Sequence, residues 1–71
     1  MYPILIIKDD KEINTLLSSI TKSNGYNVDN AFDGISGLKM ALEQDYSLIL
    51  LDLMLPLKTG EEVLRQLRKE K

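Results

Sequence analysis

The sequence lacks both cysteine and histidine, and these two absences exclude several classes of site. Without cysteine there is no disulfide and no thiolate metal ligand. Without histidine there is no imidazole for general acid–base catalysis and none for the commoner metal sites. Aromatic residues are also scarce, at 6% of the chain. The remaining composition, with 44% hydrophobic and 28% charged residues, is typical of a soluble globular domain.

Long hydrophobic runs are missing as well. No run approaches the roughly 20 residues that a membrane-spanning helix needs, and the first residues lack the basic region and cleavage site of a signal peptide. Lysine and arginine are scattered along a chain of net charge −2, apart from the tail "RQLRKEK", which is typical of a solvated helix end. We therefore expect one small cytoplasmic domain with no nucleic-acid partner and no membrane partner.

The apolar pattern predicts three strands that alternate with three helices. The strands are "ILII" at 4–7, the more polar "YNVDNAF" at 26–32 and "SLILLDL" at 47–53. The first and third are apolar on consecutive residues, as in strands covered on both faces, whereas the second is typical of an edge strand. Three apolar stripes have helical spacing: Ile13, Leu16, Leu17 and Ile20; Ile35, Leu38, Ala41 and Leu42; and Val63, Leu64 and Leu67.

Polar residues mark the predicted starts of these helices. Asp9 or Asp10 is the expected N-cap of the first helix and Asp33 that of the second. Thr59 and Glu62 form a capping box at the third. The order βαβαβα predicts an α/β fold, a parallel three-stranded sheet whose strands are joined by helical crossovers.

Three carboxylates are expected at one edge of this sheet. In such folds, ligands bind beyond the carboxyl ends of the strands, where the strand order reverses. If strand 1 lies between strands 2 and 3, Asp9 and Asp10 meet Asp52 at this edge. Carboxylate oxygens and a backbone carbonyl suit Mg²⁺, which in turn accepts a phosphate ligand. The residues alone leave open that Asp9 and Asp10 are only helix caps and that Asp52 is a solvated strand-end residue.

The segments "ILIIKDDKEI" and "LILLDLMLPLKTG" resemble the receiver domain of bacterial two-component response regulators. The resemblance extends over residues 1–71, which correspond to the N-terminal part of that domain, and implies a truncated flavodoxin-like half-domain. It implies that Asp52 is the phosphoacceptor of a phosphorelay and receives a phosphoryl group from a sensor histidine kinase. It further implies that Asp9, Asp52 and the backbone carbonyl of Met54 bind Mg²⁺. Asp10 is an additional candidate ligand, and the module is not itself expected to be an enzyme.

One departure from the family pattern concerns the metal. The family usually has an acidic residue directly before Asp9, and this chain has Lys8 there. An ammonium at this place is expected to repel Mg²⁺ and to pair with Asp52 or Asp9. Asp10 does not simply replace the missing acid, because successive side chains point in different directions. We therefore predict weakened Mg²⁺ binding.

A second departure is length. The sequence has no counterpart of the family's switch Ser/Thr after strand 4, of its Lys after strand 5 or of its output-facing helix. An apolar third strand would then keep an unpaired outer edge, and such an edge is a template for association. We predict a homodimer, formed by pairing of strand 3 with its copy or by exchange of elements between chains.

Two other functions have to be compared with the phosphoacceptor. The first is a truncated receiver fragment that folds and self-associates but does not signal. The second is an enzyme. A phosphatase of the haloacid-dehalogenase type also uses a strand-end aspartate, but its second aspartate belongs two residues later, where this chain has Met54. A dinucleotide-binding fold needs a glycine-rich turn after strand 1, and "IIKDDKE" has no glycine.

Overall fold

Strands and helices alternate along the chain, as the apolar pattern predicts. The computed structural model describes residues 2–52 and 58–70. Its elements are β1 (Ile4–Ile7), α1 (Lys11–Ser23), β2 (Val28–Ala31), α2 (Gly34–Glu43), β3 (Leu48–Leu51) and α3 (Gly60–Glu70). The βαβαβα order and the α/β class are confirmed, with β2 and β3 beginning later than predicted. Among the described residues, no helix is both long and apolar enough to cross a membrane.

The central strand of the sheet is β1. The three strands are parallel and have the order β2-β1-β3. Because Ile7 is the register partner of Ala31 on one side and of Leu51 on the other, all three strands end at one edge. After β1, the chain adds β2 on one side of β1 and then crosses over to add β3 on the other side. The direction in which strands are added therefore reverses between β1 and β3, and such folds bind their ligands at this point. The polar β2 is an edge strand, as predicted.

The hydrophobic core lies on the sheet face that α2 and α3 cover. Leu5 and Ile7 of β1 are buried there together with Leu38 of α2 and Val63 of α3. Gly37 lets α2 lie close to the sheet, because a Cβ at this position would be 2.6 Å from the side chain of Ile7. This packing holds β1 firmly and thereby fixes the strand end on which the site is built.

The opposite face of the sheet differs from the prediction. Helix α1 lies over β1 and β2 and buries its polar residues Asn14 and Ser18. Most of its apolar stripe is exposed, namely Ile13, Leu16 and Ile20. Leu48 and Leu50 of β3, which share this face, are 50% and 36% exposed. The expectation of a third strand covered on both faces is therefore wrong for the described residues, because α1 does not extend over β3.

The helix starts follow the predicted capping. Asp10, rather than Asp9, is the N-cap of α1. Asp33 caps α2 and accepts a hydrogen bond from the amide of Ser36 at 2.7 Å. At α3, the amide of Glu62 donates to the Thr59 hydroxyl at 3.2 Å, and this hydroxyl donates to the Glu62 carboxylate at 3.1 Å. The capping box is therefore confirmed.

Candidate functional site

Lys8 and Asp52 lie side by side at the edge where β1 and β3 end. Ile7 and Leu51 are register partners, and each is followed by one of the two charged residues. The amide of Asp52 donates to the carbonyl oxygen of Ile7 at 3.0 Å, which continues the strand pairing by one residue. The Lys8 Nζ lies 3.0 Å from Asp52 Oδ2. Lys8 was predicted to pair with Asp52 or Asp9, and the structure shows the pair with Asp52.

This ion pair is partly shielded from solvent. The side chain of Lys8 is 28% exposed and that of Asp52 is 19% exposed. The hydrogen bond to Asp52 raises the pKa of Lys8 above its ordinary value, while partial desolvation acts in the opposite direction. The negative charges of Asp52, Asp9 and Asp10 raise this pKa further. Lys8 therefore stays a cation at neutral pH, in contact with the candidate phosphoacceptor.

Sequence reasoning missed a buried asparagine that supports this edge. Asn14 of α1 is fully buried, and its Nδ2 donates to the carbonyl oxygens of Lys8 at 2.9 Å and of Ala31 at 3.0 Å. Its Oδ1 accepts a hydrogen bond from Asn30 of β2. The side chain thus satisfies backbone groups at the ends of two strands and holds α1 against them. The helical spacing of apolar residues cannot reveal this role of Asn14, because that spacing indicates that the apolar face of α1 is the buried one.

The other predicted ligands have different surroundings. Asp10 Oδ1 accepts hydrogen bonds from the amides of Glu12 at 3.0 Å and Ile13 at 3.2 Å, so this carboxylate serves as the helix cap. Asp9 is exposed at the end of β1. Met54, whose carbonyl the resemblance makes a ligand, lies outside the described residues. The metal-binding roles of these three residues stay predictions.

An open groove of about 550 Å³ adjoins the ion pair. Its walls are apolar and come from β1, β3 and Leu17 of α1, and Lys8 and Asp52 form its charged part. The groove lies on the side of β3 that α1 leaves uncovered. The site therefore combines one charged pair with accessible apolar surface.

The sequence of this chain matches a family model. The model describes the response regulator receiver domain, and the match extends over residues 4–71. The chain belongs to this family. The response regulator ArlR of Staphylococcus aureus is 41% identical over 70 residues, which cover 99% of this chain and 32% of that protein. The chain thus spans about a third of the length of this relative.

Solved receiver structures share the fold closely. TrrA of Thermotoga maritima, a response regulator crystallised in complex with Mg²⁺-BeF, superimposes with a TM-score of 0.94 at 35% identity and covers all of this chain. TrrA in complex with the histidine kinase ThkA gives a TM-score of 0.91 at 35% identity, again over all of this chain. This receiver chain covers 62% and 61% of those two chains. The predicted family and fold are confirmed.

A divalent cation fits the described part of this receiver site poorly. Within residues 2–52 and 58–70, no three acidic, histidine or cysteine side chains are grouped closely enough to hold a metal ion. One oxygen of the Asp52 carboxylate, Oδ2, is bonded to the ammonium of Lys8, whose positive charge disfavours a divalent metal beside it. At the position directly before Asp9, where the family pattern has an acidic residue, this chain has the ammonium of Lys8.

Proposed function

We propose that this chain is a phosphoacceptor receiver module and that Asp52 accepts the phosphoryl group. The position of Asp52 is the observation that carries the proposal. It directly follows β3 at the edge where the strand order reverses, and its backbone is held by the hydrogen bond to Ile7. A carboxylate held in this way presents its oxygens to an incoming ligand with little loss of conformational freedom.

The chemistry requires a nucleophile and neutralisation of charge. A carboxylate oxygen of Asp52 attacks the phosphorus atom, and the donor leaves on the opposite side. The product, an acyl phosphate, replaces one negative charge by about two at the end of β3, which is a local switch in charge. We propose a sensor histidine kinase as the donor and the cytoplasm as the location. The relative TrrA, crystallised in complex with a histidine kinase, supports this choice of partner.

We expect Mg²⁺ to bind only weakly. Asp9, Asp52 and the carbonyl of Met54 are the proposed ligands, with Asp10 the least favoured because its carboxylate caps α1. Lys8 opposes binding in two ways, since its charge repels the metal and its hydrogen bond occupies Asp52 Oδ2. When bound, the metal would supply further positive charge for the phosphoryl group.

Intact-protein mass spectrometry tests the proposed phosphoacceptor directly. The chain is incubated with acetyl phosphate and Mg²⁺, and we expect one phosphate adduct that is lost in Asp52→Asn. Asp45→Asn, which removes a carboxylate before β3, is the matched control and should keep the adduct. Absence of the adduct in the unchanged chain, or its persistence in Asp52→Asn, would contradict the proposal.

The second candidate function is a receiver fragment that self-associates without signalling. The exposed Leu48 and Leu50 on β3 favour it, because apolar side chains beside a strand edge promote association. Both candidates include a homodimer, so dimerisation alone does not separate them. The acetyl phosphate experiment does, because only the phosphoacceptor forms the adduct.

A further inference from the structure

Lys8 supplies a positive charge where a phosphoacceptor site needs one. An anionic carboxylate and an anionic phosphoryl group repel each other, so transfer between them requires a cation nearby. The Lys8 Nζ lies 3.0 Å from Asp52 Oδ2, within hydrogen-bond distance. The side chain of Lys8 therefore supplies, as part of the protein itself, a positive charge that would otherwise come from a bound metal ion.

The position of Lys8 is set by three elements of the fold. Its amide donates to the carbonyl oxygen of Ala31 in β2 at 3.1 Å, and its own carbonyl oxygen accepts from Asn14 of α1 at 2.9 Å. Asn14 is fully buried and also donates a hydrogen bond to Ala31. Lys8, Asn14 and Ala31 are therefore joined by hydrogen bonds at the end of β1. The side chain extends from this fixed point to Asp52 on the neighbouring strand. The fold thus fixes the backbone that carries Lys8 within reach of Asp52.

We propose that Lys8 is the resident cation of this site and that phosphoryl transfer to Asp52 proceeds without a divalent metal. The proposal rests on the proposed phosphoacceptor function and goes beyond it by assigning the cation. In the step, a carboxylate oxygen of Asp52 forms a bond to the phosphorus of an acyl phosphate. The bond between phosphorus and the donor's carboxylate oxygen breaks, and its electron pair leaves with the donor carboxylate. Lys8 gives up no proton and acts only through its charge.

The rate of adduct formation in the presence and absence of metal tests this proposal. The chain is incubated with acetyl phosphate in excess EDTA or in Mg²⁺, and the adduct is followed by intact mass. We expect the two rates to agree within about twofold, because the resident charge is present in both conditions. A rate that falls about tenfold or more in EDTA would overturn the proposal.

Variants of Lys8 provide the matched comparison. Lys8→Gln removes the charge and should lower the rate in EDTA by about tenfold or more, whereas Lys8→Arg keeps a cation and should retain most of it. Circular dichroism of both variants checks that the fold is preserved. An unchanged rate for Lys8→Gln in EDTA would also overturn the proposal.

A spectroscopic measurement separates failure of this proposal from failure of the phosphoacceptor function. If no adduct forms under any condition, the phosphoacceptor function fails and the metal-free transfer step fails with it. The resident cation is then judged by nuclear magnetic resonance of the Asp52 carboxyl carbon and the Lys8 ammonium during titration with MgCl₂. A Lys8 signal that stays in place in the unchanged chain, with a smaller shift of the Asp52 signal there than in Lys8→Gln at the same MgCl₂ concentration, supports the assignment. Displacement of Lys8 by Mg²⁺ in the unchanged chain overturns it.

Discussion

At the scale of single residues, the contact between Lys8 and Asp52 is the main feature of the candidate site. The residue that follows β1 faces the residue that follows β3, because Ile7 and Leu51 are in register. A change at position 8 therefore acts directly on Asp52. A cation at this position stabilises the carboxylate, whereas an acid there would repel it and would create a site for a divalent metal.

Replacement of Lys8 by aspartate is expected to tighten Mg²⁺ binding. The change removes a positive charge beside Asp52 and adds a carboxylate, and one charge at about 4–6 Å shifts a neighbour's pKa by roughly 1–3 units. Titration calorimetry of the unchanged chain and Lys8→Asp measures the difference, and Asp9→Asn should abolish the remaining affinity. Equal affinities of the unchanged chain and Lys8→Asp would contradict the role assigned to Lys8.

Tyr46 carries a second prediction at the residue scale. Burial raises the pKa of its phenol to about 12, and its hydrogen bond to Asp29, 2.8 Å long, contributes to the same shift. Because the pKa in the folded state exceeds the ordinary value of 10.0, the folded chain holds this proton more tightly than the unfolded chain. The resulting stability is complete below pH 10.0 and is lost as the pH rises towards about 12.

Ultraviolet titration of tyrosinate measures this shift. We expect one phenol to ionise near pH 12, and this late step should disappear in Tyr46→Phe. Tyr26→Phe, which removes an exposed phenol, is the control and should keep the late step. A missing late step in the unchanged chain would contradict the placement of the Tyr46 phenol, partly buried and bonded to Asp29.

At the scale of elements, the start of α3 is fixed by its capping box. Thr59→Ala removes the hydroxyl that accepts the amide hydrogen of Glu62, and the expected loss is about 0.5–2 kcal/mol of unfolding free energy. Denaturant unfolding measures this loss, and Ser19→Ala, an exposed change within α1, is the control. An unchanged midpoint and slope in Thr59→Ala would count against the cap.

The capping box of Thr59 and Glu62 also makes the stability of the start of α3 depend on pH. The backbone hydrogen bond from Thr59, followed by the bond from its hydroxyl, lowers the pKa of Glu62. A lowered pKa means that the stabilisation is complete above the ordinary value of 4.5 and is lost as the pH falls through the lower value of the folded state. The difference in unfolding free energy between the unchanged chain and Thr59→Ala should therefore become smaller in acid, as denaturant unfolding at several pH values would measure.

The elements and their order were predictable because they depend on local patterns. Strand β1 was predicted to the residue, and the caps Asp33 and Thr59 follow from side-chain chemistry within one helical turn. Which face of a helix is buried depends on tertiary packing, which the periodicity does not contain. Ile35 and Leu42, which belong to the apolar stripe of α2, are 52% and 36% exposed.

Two glycines explain part of the reason why apolar residues of α2 are exposed. Gly34 and Gly37 of α2 are both buried, and a Cβ at Gly34 would collide with the backbone of Lys58. The two glycines let α2 approach its neighbours, so the buried face of the helix includes residues that a hydrophobicity pattern ignores. At the site, the pairing of Lys8 with Asp52 was predictable from strand order. The support from Asn14 was not, because a polar residue within a helix gives no sign of what it will contact.

At the scale of the whole molecule, the exposed side of the sheet is the basis of the predicted association. The outer edge of β3 has no partner strand within the described residues. Leu48 and Leu50 beside this edge are exposed, and so are Leu16 and Ile20 of α1 on the same side of the sheet. So much apolar surface beside an open strand edge is unusual for a monomer, and a small domain has little stability to spare for leaving it in water.

We therefore expect a homodimer in which β3 of one chain pairs with β3 of its copy about a two-fold axis, giving a six-stranded sheet. The alternative is an exchange of elements between chains, in which Val63, Leu64 and Leu67 would pack on the partner. In the simple pairing, Val63 and Leu67 keep the core contacts that they make within the single chain. This pairing would place the two Asp52 sites near the interface and restrict the approach of a kinase.

Light scattering and amide hydrogen exchange test the dimer at micromolar concentration. We expect twice the monomer mass and slow exchange of the β3 amides, because pairing protects the strand edge. Leu50→Lys should weaken association by about tenfold or more, since burying an unpaired ammonium at an interface costs well over 1.4 kcal/mol. Thr15→Lys, which adds the same charge at an exposed position of α1, should leave the dimer intact. A folded monomer at this concentration, or rapid exchange throughout β3, would refute the pairing.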